Sequence, residues 1–190
     1  MRHLNTPGII LKKHNSGEYD QFITLYCPTL GKIQALAKGS RKIESSFTGH
    51  LETLNICHFQ LYKGPHTFMI TQCQAESVFK NVRDDFTKSM LAILISEIFQ
   101  RATSATEDGE ALFYLLEKTL TSLNQNHKHL LCLESFKIKL LNLLGVMPDI
   151  SRCSVCEKKW QQEQTIYLGN DGHLSCVTCY RDIKNQQEVP

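Results

Sequence analysis

The first 80 residues alternate apolar and polar positions with the two-residue period of strands, and the stretch that follows does not. Residues 8–13, 21–27, 32–38, 54–62 and 67–75 are five candidate strands. Turn chemistry separates them at Asn15-Ser16-Gly17, Pro28-Thr29-Leu30-Gly31 and Lys63-Gly64-Pro65. The longer piece 39–53 has room for a short helix or an extended basic loop. Five strands with that interruption fit an OB-fold barrel, and an SH3-like barrel has a similar strand count.

Alternation also assigns faces. In the second strand Ile23 and Leu25 point one way, while Phe22, Thr24 and Tyr26 point the other. In the third, Ile33, Ala35 and Ala37 form the apolar side, opposed by Lys32, Gln34 and Lys38. With Ile23 and Ile33 inside, the outer face is expected to carry two rings and two lysines on neighbouring strands. Single-stranded nucleic acid asks for that pairing: rings on which bases stack, and ammonium groups for phosphates. The plain alternative is a solvated face, with Phe22 packed on a neighbouring domain.

From residue 83 the period lengthens. Residues 89–99 form a helix apolar on most sides, expected to be internal. Asp108 can cap the next helix, 110–123, which would bury Ala111, Leu112, Leu115, Leu116 and Leu120. A third helix, 129–144, would bury Leu133, Phe136, Leu140 and Leu144, and stops at Gly145 with Pro148 just beyond. The longest apolar run, 90–95, is far too short to cross a bilayer. Residues 1–15 show no signal peptide, which points to a soluble, cytoplasmic protein.

At 190 residues the chain can bury a real core, and its net charge is only +2. The charge is unevenly spread, because the first 80 residues carry nine Lys or Arg against five Asp or Glu. Lys12, Lys13, Lys32, Lys38, Arg41, Lys42 and Lys63 make most of that excess, and basic stripes on small domains often meet phosphate.

Candidate chemistry sits near the other end. Cys153-Ser-Val-Cys156 and Cys176-Val-Thr-Cys179 are separated by nineteen residues, the spacing of a four-cysteine zinc site. Between them, Gly169-Asn170-Asp171-Gly172 joins two short apolar runs as a hairpin turn would. Knuckle, hairpin, knuckle is the layout of a zinc ribbon. Four sulfur ligands leave no coordination position open, so the metal is expected to be structural. Two disulfides would need an oxidising compartment that nothing in the sequence indicates. The other cysteines, Cys27, Cys57, Cys73 and Cys132, sit among apolar neighbours and read as small core residues.

An enzymatic reading fails on the same residues. His50-Leu51-Glu52 matches half of a zinc deaminase signature, but Arg152 and Ser175 stand where a proline should precede the cysteine pair. The second complete pair would also close the site that such an enzyme keeps open. No nucleophile, phosphate-cradling loop or acidic pair suggests another activity.

The chain resembles bacterial RecO, the recombination mediator of DNA repair. The segments that carry the likeness are Gly8-Ile9-Ile10-Leu11-Lys12-Lys13, Asp20-Gln21-Phe22-Ile23-Thr24-Leu25, Gly31-Lys32-Ile33 and Ala37-Lys38-Gly39-Ser40-Arg41-Lys42. Gly49-His50-Leu51-Glu52 and Gly145-Val146-Met147-Pro148-Asp149 continue it in order up to Cys153. The resemblance implies an N-terminal OB-fold, a helical domain and a zinc module. It further implies binding of single- and double-stranded DNA, annealing of complementary strands, and loading of RecA onto DNA coated by single-strand-binding protein. RecR, and often RecF, are the implied partners, and the nucleoid the implied location. Family members usually continue with further helical residues after the last cysteine pair, whereas this chain stops at Pro190.

The expectation is thus an α+β protein, not an enzyme. Residues 1–80 form the OB-fold, 81–150 a helical domain, 151–182 a zinc ribbon docked on it, and 183–190 a polar, frayed tail. Cys153, Cys156, Cys176 and Cys179 are the candidate metal ligands. Lys13, Phe22, Tyr26, Lys32, Lys38, Arg41 and Lys42 are the candidate DNA contacts. The competing reading is a zinc-ribbon adaptor that binds protein partners only, which leaves the basic barrel unused.

Overall fold

The computed structural model describes residues 3–103, 109–125, 128–161, 165–169 and 172–187. Five strands close into a barrel: β1 (His3–Ser16), β2 (Asp20–Cys27), β3 (Gly31–Ala37), β4 (Ile56–Lys63) and β5 (Phe68–Ser77). Their order around the barrel is β1-β2-β3-β5-β4, antiparallel throughout except for the parallel β3/β5 pair. That is the Greek-key closure of an OB-fold, and it decides between the two barrels that strand count alone left open. β1 is longer than its alternation suggested because it serves two partners. Its first half pairs with β4 and its second with β2, and a bulge between Ile10 and Lys12 bends it from one to the other.

Alternation is obeyed inside the barrel. Ile10, Ile23, Leu25, Ala35, Ala37, Phe59, Leu61 and Ile70 form its core. The connection between β3 and β4 is a chain of turns rather than a helix, and it sends Phe47 and Leu51 into that core. Gly8 is small for a reason: a Cβ there would sit 3.0 Å from the Phe59 ring and 3.1 Å from the Cys27 sulfur.

Four helices follow: α1 (Lys80–Asp84), α2 (Phe86–Ala102), α3 (Gly109–Gln125) and α4 (His129–Leu143). Asp85 caps α2 by accepting from the Lys88 N–H. The cap expected at Asp108 lies outside the described residues. The chain divides into two compact units, Met1–Leu143 and Leu144–Pro190, so barrel and helices belong to one body. Their seam is specific. Tyr26 is fully buried with its ring edge-on to Phe99, 4.7 Å between centroids. The Arg83 guanidinium donates to the Val78 and Thr53 carbonyls and to the Asn55 amide oxygen at 2.9, 3.0 and 2.6 Å. At Gly109 any side chain would strike the Pro28 carbonyl, so α3 begins pressed against the β2–β3 turn.

Two expectations about the helices are corrected. α2 is not internal: Ala92, Ile95 and Phe99 are buried, but Phe86, Met90, Ile93 and Leu94 are exposed. Apolar residues all around a helix gave no face, and packing on the barrel through Phe99 selected one. Leu144, expected on the buried face of the last helix, lies past the end of α4 at Leu143. The buried faces of α3 and α4 otherwise fall on Leu112, Leu115, Leu116, Leu120, Leu133, Phe136 and Leu140, as the period indicates.

The second unit contains the hairpin β6 (Ile166–Leu168) and β7 (Leu174–Cys176), followed by helix α5 (Val177–Gln187). Asn170 and Asp171 of its expected turn lie outside the described residues. The tail expected to fray from residue 183 is instead helical through Gln187, while 188–190 lie outside the described residues. Polarity alone suggested fraying. However, the second cysteine knuckle runs directly into the helix and supplies its costly first turn. Tyr180 then anchors it, stacked on Tyr167 at 4.3 Å and 7° between planes. Deleting 184–190 is expected to remove the helicity of a few residues and to leave metal content unchanged. Circular dichroism and elemental analysis check this, and a cooperative loss of helicity would show the segment to be packed.

Candidate metal centre and nucleic-acid interface

The four ligand atoms of Cys153, Cys156, Cys176 and Cys179 lie within 4.8 Å of one another, a set that can hold a metal ion. A tetrahedral ion with Zn–S bonds of about 2.3 Å requires sulfurs about 3.8 Å apart. Cys156 and Cys176 are separated by 3.9 Å. The turns are built by the chain itself. Cys153 N–H donates to the Lys158 carbonyl and Glu157 N–H to the Cys153 carbonyl, with Glu157 in the left-handed region (φ 58°). Ser154 N–H reaches across to the Leu174 carbonyl and ties the first knuckle to the strand that leads into the second.

Electrostatics favours thiolates at Cys153 and Cys176. Burial pushes the Cys153 thiol up, but backbone N–H groups of Cys156, Cys176 and Val155 together hold it down, at about 6. Cys176 is likewise lowered, first by the Cys179 backbone N–H and then by its side chain. Cys179 is pushed up to about 12, mainly by its hydrogen bond to Cys176 and then by burial. Without a cation, sulfurs this close must share protons; a divalent metal removes that conflict. Among the described residues of this unit only Cys153, Ser175 and Cys176 are buried, so it has no apolar core of its own. The donor set, the spacing and the missing core all fit a structural metal.

On the barrel, the outer face of β2 and β3 divides into two halves. At the β2–β3 turn end it is roofed by α2, and this corrects two candidate DNA contacts. Tyr26 is buried against Phe99, and no base can reach it. Lys32 donates its ammonium to the Gln100 carbonyl at 2.7 Å and to the Thr103 carbonyl, closing the C-terminal end of α2. Lys13 pairs with Glu52 at 2.7 Å, a solvent-exposed ion pair. Tyr26→Ala is therefore expected to destabilise the fold by about 3–5 kcal/mol, as other large buried rings do. Denaturant melts check this, and a variant of unchanged stability would place Tyr26 outside the seam.

The other half of the face is open. Phe22 is half-buried beside His14 of β1, their rings stacked at 5.5 Å and 26°. Lys38, Arg41 and Lys42 are exposed where β3 leaves the barrel. This exit is fastened to the β1–β2 turn. Gly39 N–H donates to the Asp20 carboxylate at 2.7 Å, Arg41 N–H to the Tyr19 carbonyl at 2.9 Å, and the Arg41 guanidinium to the Glu18 carbonyl at 2.9 Å. Lys42 lies over the Tyr19 ring, 5.6 Å from its centroid. Tyr19, half-exposed, is the ring that the sequence reading missed, although it lies two residues after the Asn15-Ser16-Gly17 turn. His50 is tied to the barrel, its Nδ1 accepting from the Ala75 N–H at 3.1 Å.

Two family models match this chain end to end: the recombination protein O N-terminal model over residues 1–79 and the C-terminal model over 83–190. The chain belongs to the recombination protein O family. DNA repair protein RecO of Thermoanaerobacter sp. (strain X514) is 30% identical, with 100% of this chain and 77% of the relative aligned. Its counterpart in Dehalococcoides mccartyi (strain BAV1 among its collection designations) is 34% identical over 92% of this chain and 69% of the relative. That of Caldanaerobacter subterraneus subsp. tengcongensis is 30% identical over 97% and 74%. As a RecO family member the chain acts in DNA repair and recombination. Among the described residues no helix is long and apolar enough to cross a membrane.

Proposed function

We propose that this member of the family is a recombination mediator. It binds single- and double-stranded DNA, anneals complementary strands and helps load RecA onto DNA coated by single-strand-binding protein. RecR, and in some settings RecF, are its partners, and it works in the cytoplasm at the nucleoid. The ions Lys38, Arg41 and Lys42 hold the DNA backbone, and Zn2+ on the four cysteines holds the second unit in shape as a structural ion.

One observation carries this reading. The open half of the β2–β3 face presents three exposed cations beside the rings of His14, Tyr19 and the half-buried Phe22, and OB-folds use this face together with the neighbouring loops to bind oligonucleotides. A protein-only adaptor would have no use for it. Annealing of complementary oligonucleotides, followed by strand-specific fluorescence with and without single-strand-binding protein, tests the proposal. Acceleration in both settings is expected. Failure to anneal, together with failure to retain DNA at low salt, would leave the adaptor reading in its place.

A further inference from the structure

Helix α2 has a second apolar face, opposite the one it buries. Phe86, Met90, Ile93 and Leu94 are 81%, 52%, 53% and 42% exposed. Met90, Ile93 and Leu94 follow Phe86 by four, seven and eight residues, so the four share one side of the helix. Ala92, Ile95 and Phe99 occupy the other side and are buried. The four leave roughly 400 Å2 of apolar side chain in water, as much as the largest patch on a typical monomer. The face is also rigid. Asp85 caps one end of α2 by accepting from the Lys88 N–H, and the Lys32 ammonium closes the other on the Gln100 carbonyl. A partner therefore meets a preformed surface and loses little in ordering it. The charged side chains on this side, Glu97 and Arg101, already pair with each other at 2.6 Å, so the face as a whole is neutral. Charge selects neither an acidic nor a basic partner.

We infer that α2 is a self-association face, along which two copies of this chain pair antiparallel about a two-fold axis between Ile93 and Leu94. The inference does not depend on where DNA is held. The order of residues along the helix is complementary to itself. Turned end for end about that axis, Ile93 of one copy meets Leu94 of the other, Met90 meets Glu97, and Phe86 meets Arg101. Apolar side chains thus fall on apolar ones at the centre. At either rim a guanidinium comes over the ring of Phe86, the most exposed of the four. The Met90 thioether lies along the Glu97 methylenes, while the Glu97 carboxylate keeps Arg101 as its partner. Antiparallel pairing also sets the negative end of each helix dipole beside the positive end of the other. Two copies cover about 800 Å2 of apolar surface, short of the total of about 1,200 Å2 at which stable interfaces begin. The dimer is therefore reversible, with a Kd of about 10–100 μM.

The test is the mass of the full chain by sedimentation velocity, without DNA, from about 1 to 200 μM. The average mass should rise with concentration from one chain toward two and stop there. Ile93→Asp brings a carboxylate from each copy to the axis and should weaken association about 10-fold or more. It should keep the parent melting temperature, because the side chain it replaces is half-exposed. Ile138→Asp, at a site on α4 that is 51% exposed, should dimerise as the parent does and so separates this face from general apolar adhesion. Photo-reactive benzoylphenylalanine in place of Met90 should cross-link to the second copy near Glu97, read by mass spectrometry. A mass of one chain throughout overturns the inference and leaves the face to a partner of another sequence. Growth past two copies overturns it as well, as does association that survives Ile93→Asp or falls equally with Ile138→Asp.

Discussion

Removing the metal is expected to unfold residues 144–190 while the barrel and its helices remain folded. The second unit has few other means of support. Its hairpin strands are three residues each, and Ile166 and Leu168 on β6 are exposed. A two-stranded hairpin is marginal in water without a covered face. Among the described residues, its other contacts include the Tyr167–Tyr180 stack, the Trp160 indole donating to the Ile150 carbonyl at 2.8 Å, the Asp149 carboxylate that accepts from Ser151 and Arg152, and the Ser154 N–H on the Leu174 carbonyl. These are single contacts on exposed or half-exposed groups. Metal binding in isolated zinc modules contributes roughly 10–16 kcal/mol, far more than such contacts can supply. One zinc per chain is therefore expected by elemental analysis. Chelation, or Cys153→Ser with Cys176→Ser, should bring loss of the Tyr167 and Tyr180 near-ultraviolet signal and rapid proteolysis within 144–190. The melt of the Met1–Leu143 unit should survive, since its core shares no residue with the cysteine cluster. A protein free of zinc, or one that loses its zinc on His173→Ala but keeps it on Cys176→Ser, would overturn the ligand set.

Much of the fold was legible because barrel strands and cysteine knuckles write short-range patterns. Ile23, Leu25, Ala35 and Ala37 fell where alternation put them, and the four cysteines came together at the distance their spacing implied. What failed was long-range. Alternation says that Tyr26 and Lys32 face away from the barrel interior, and they do. It cannot say that a helix will arrive there. The groups that cover that end of the face, Phe99, Gln100 and Thr103, come about 70 positions later in the chain, as the Lys32 bonds spanning 68 and 71 positions show. The same gap hid Phe47 and Leu51, two apolar residues in a turn-rich polar segment whose burial depends on the barrel already being closed. A lysine can be recruited to the carbonyls of a helix end as readily as to a phosphate, and sequence alone does not distinguish the two.

Charge reversal at Lys38 and Arg41 should produce the largest loss of DNA binding. With Lys32 committed to α2, the candidate cations exposed at this corner of the barrel among the described residues are Lys38, Arg41 and Lys42. If each neutralises one phosphate of a single strand, log K should fall against log salt with a slope of about −2, at roughly −0.7 per contact. Lys38→Glu with Arg41→Glu removes two contacts and adds two repulsions. The loss should be about 25-fold or more near 0.1 M salt, with a slope flattened to about −0.7 or less in magnitude. Because phosphate contacts carry no base information, all sequences should suffer alike. Arg41 also donates to the Glu18 carbonyl, so its reversal also acts on the β1–β2 turn; Arg41→Gln separates the two effects by keeping an amide donor there while losing the charge. That variant should retain the parent melting temperature and lose about 5-fold in affinity, one contact's worth. Lys32→Gln should do the reverse, lowering stability through the frayed end of α2 while the salt slope keeps its parent value. Anisotropy across a salt series on these variants decides the matter: a slope unchanged by the double reversal, or reduced by Lys32→Gln, would move the phosphates away from the β3 exit.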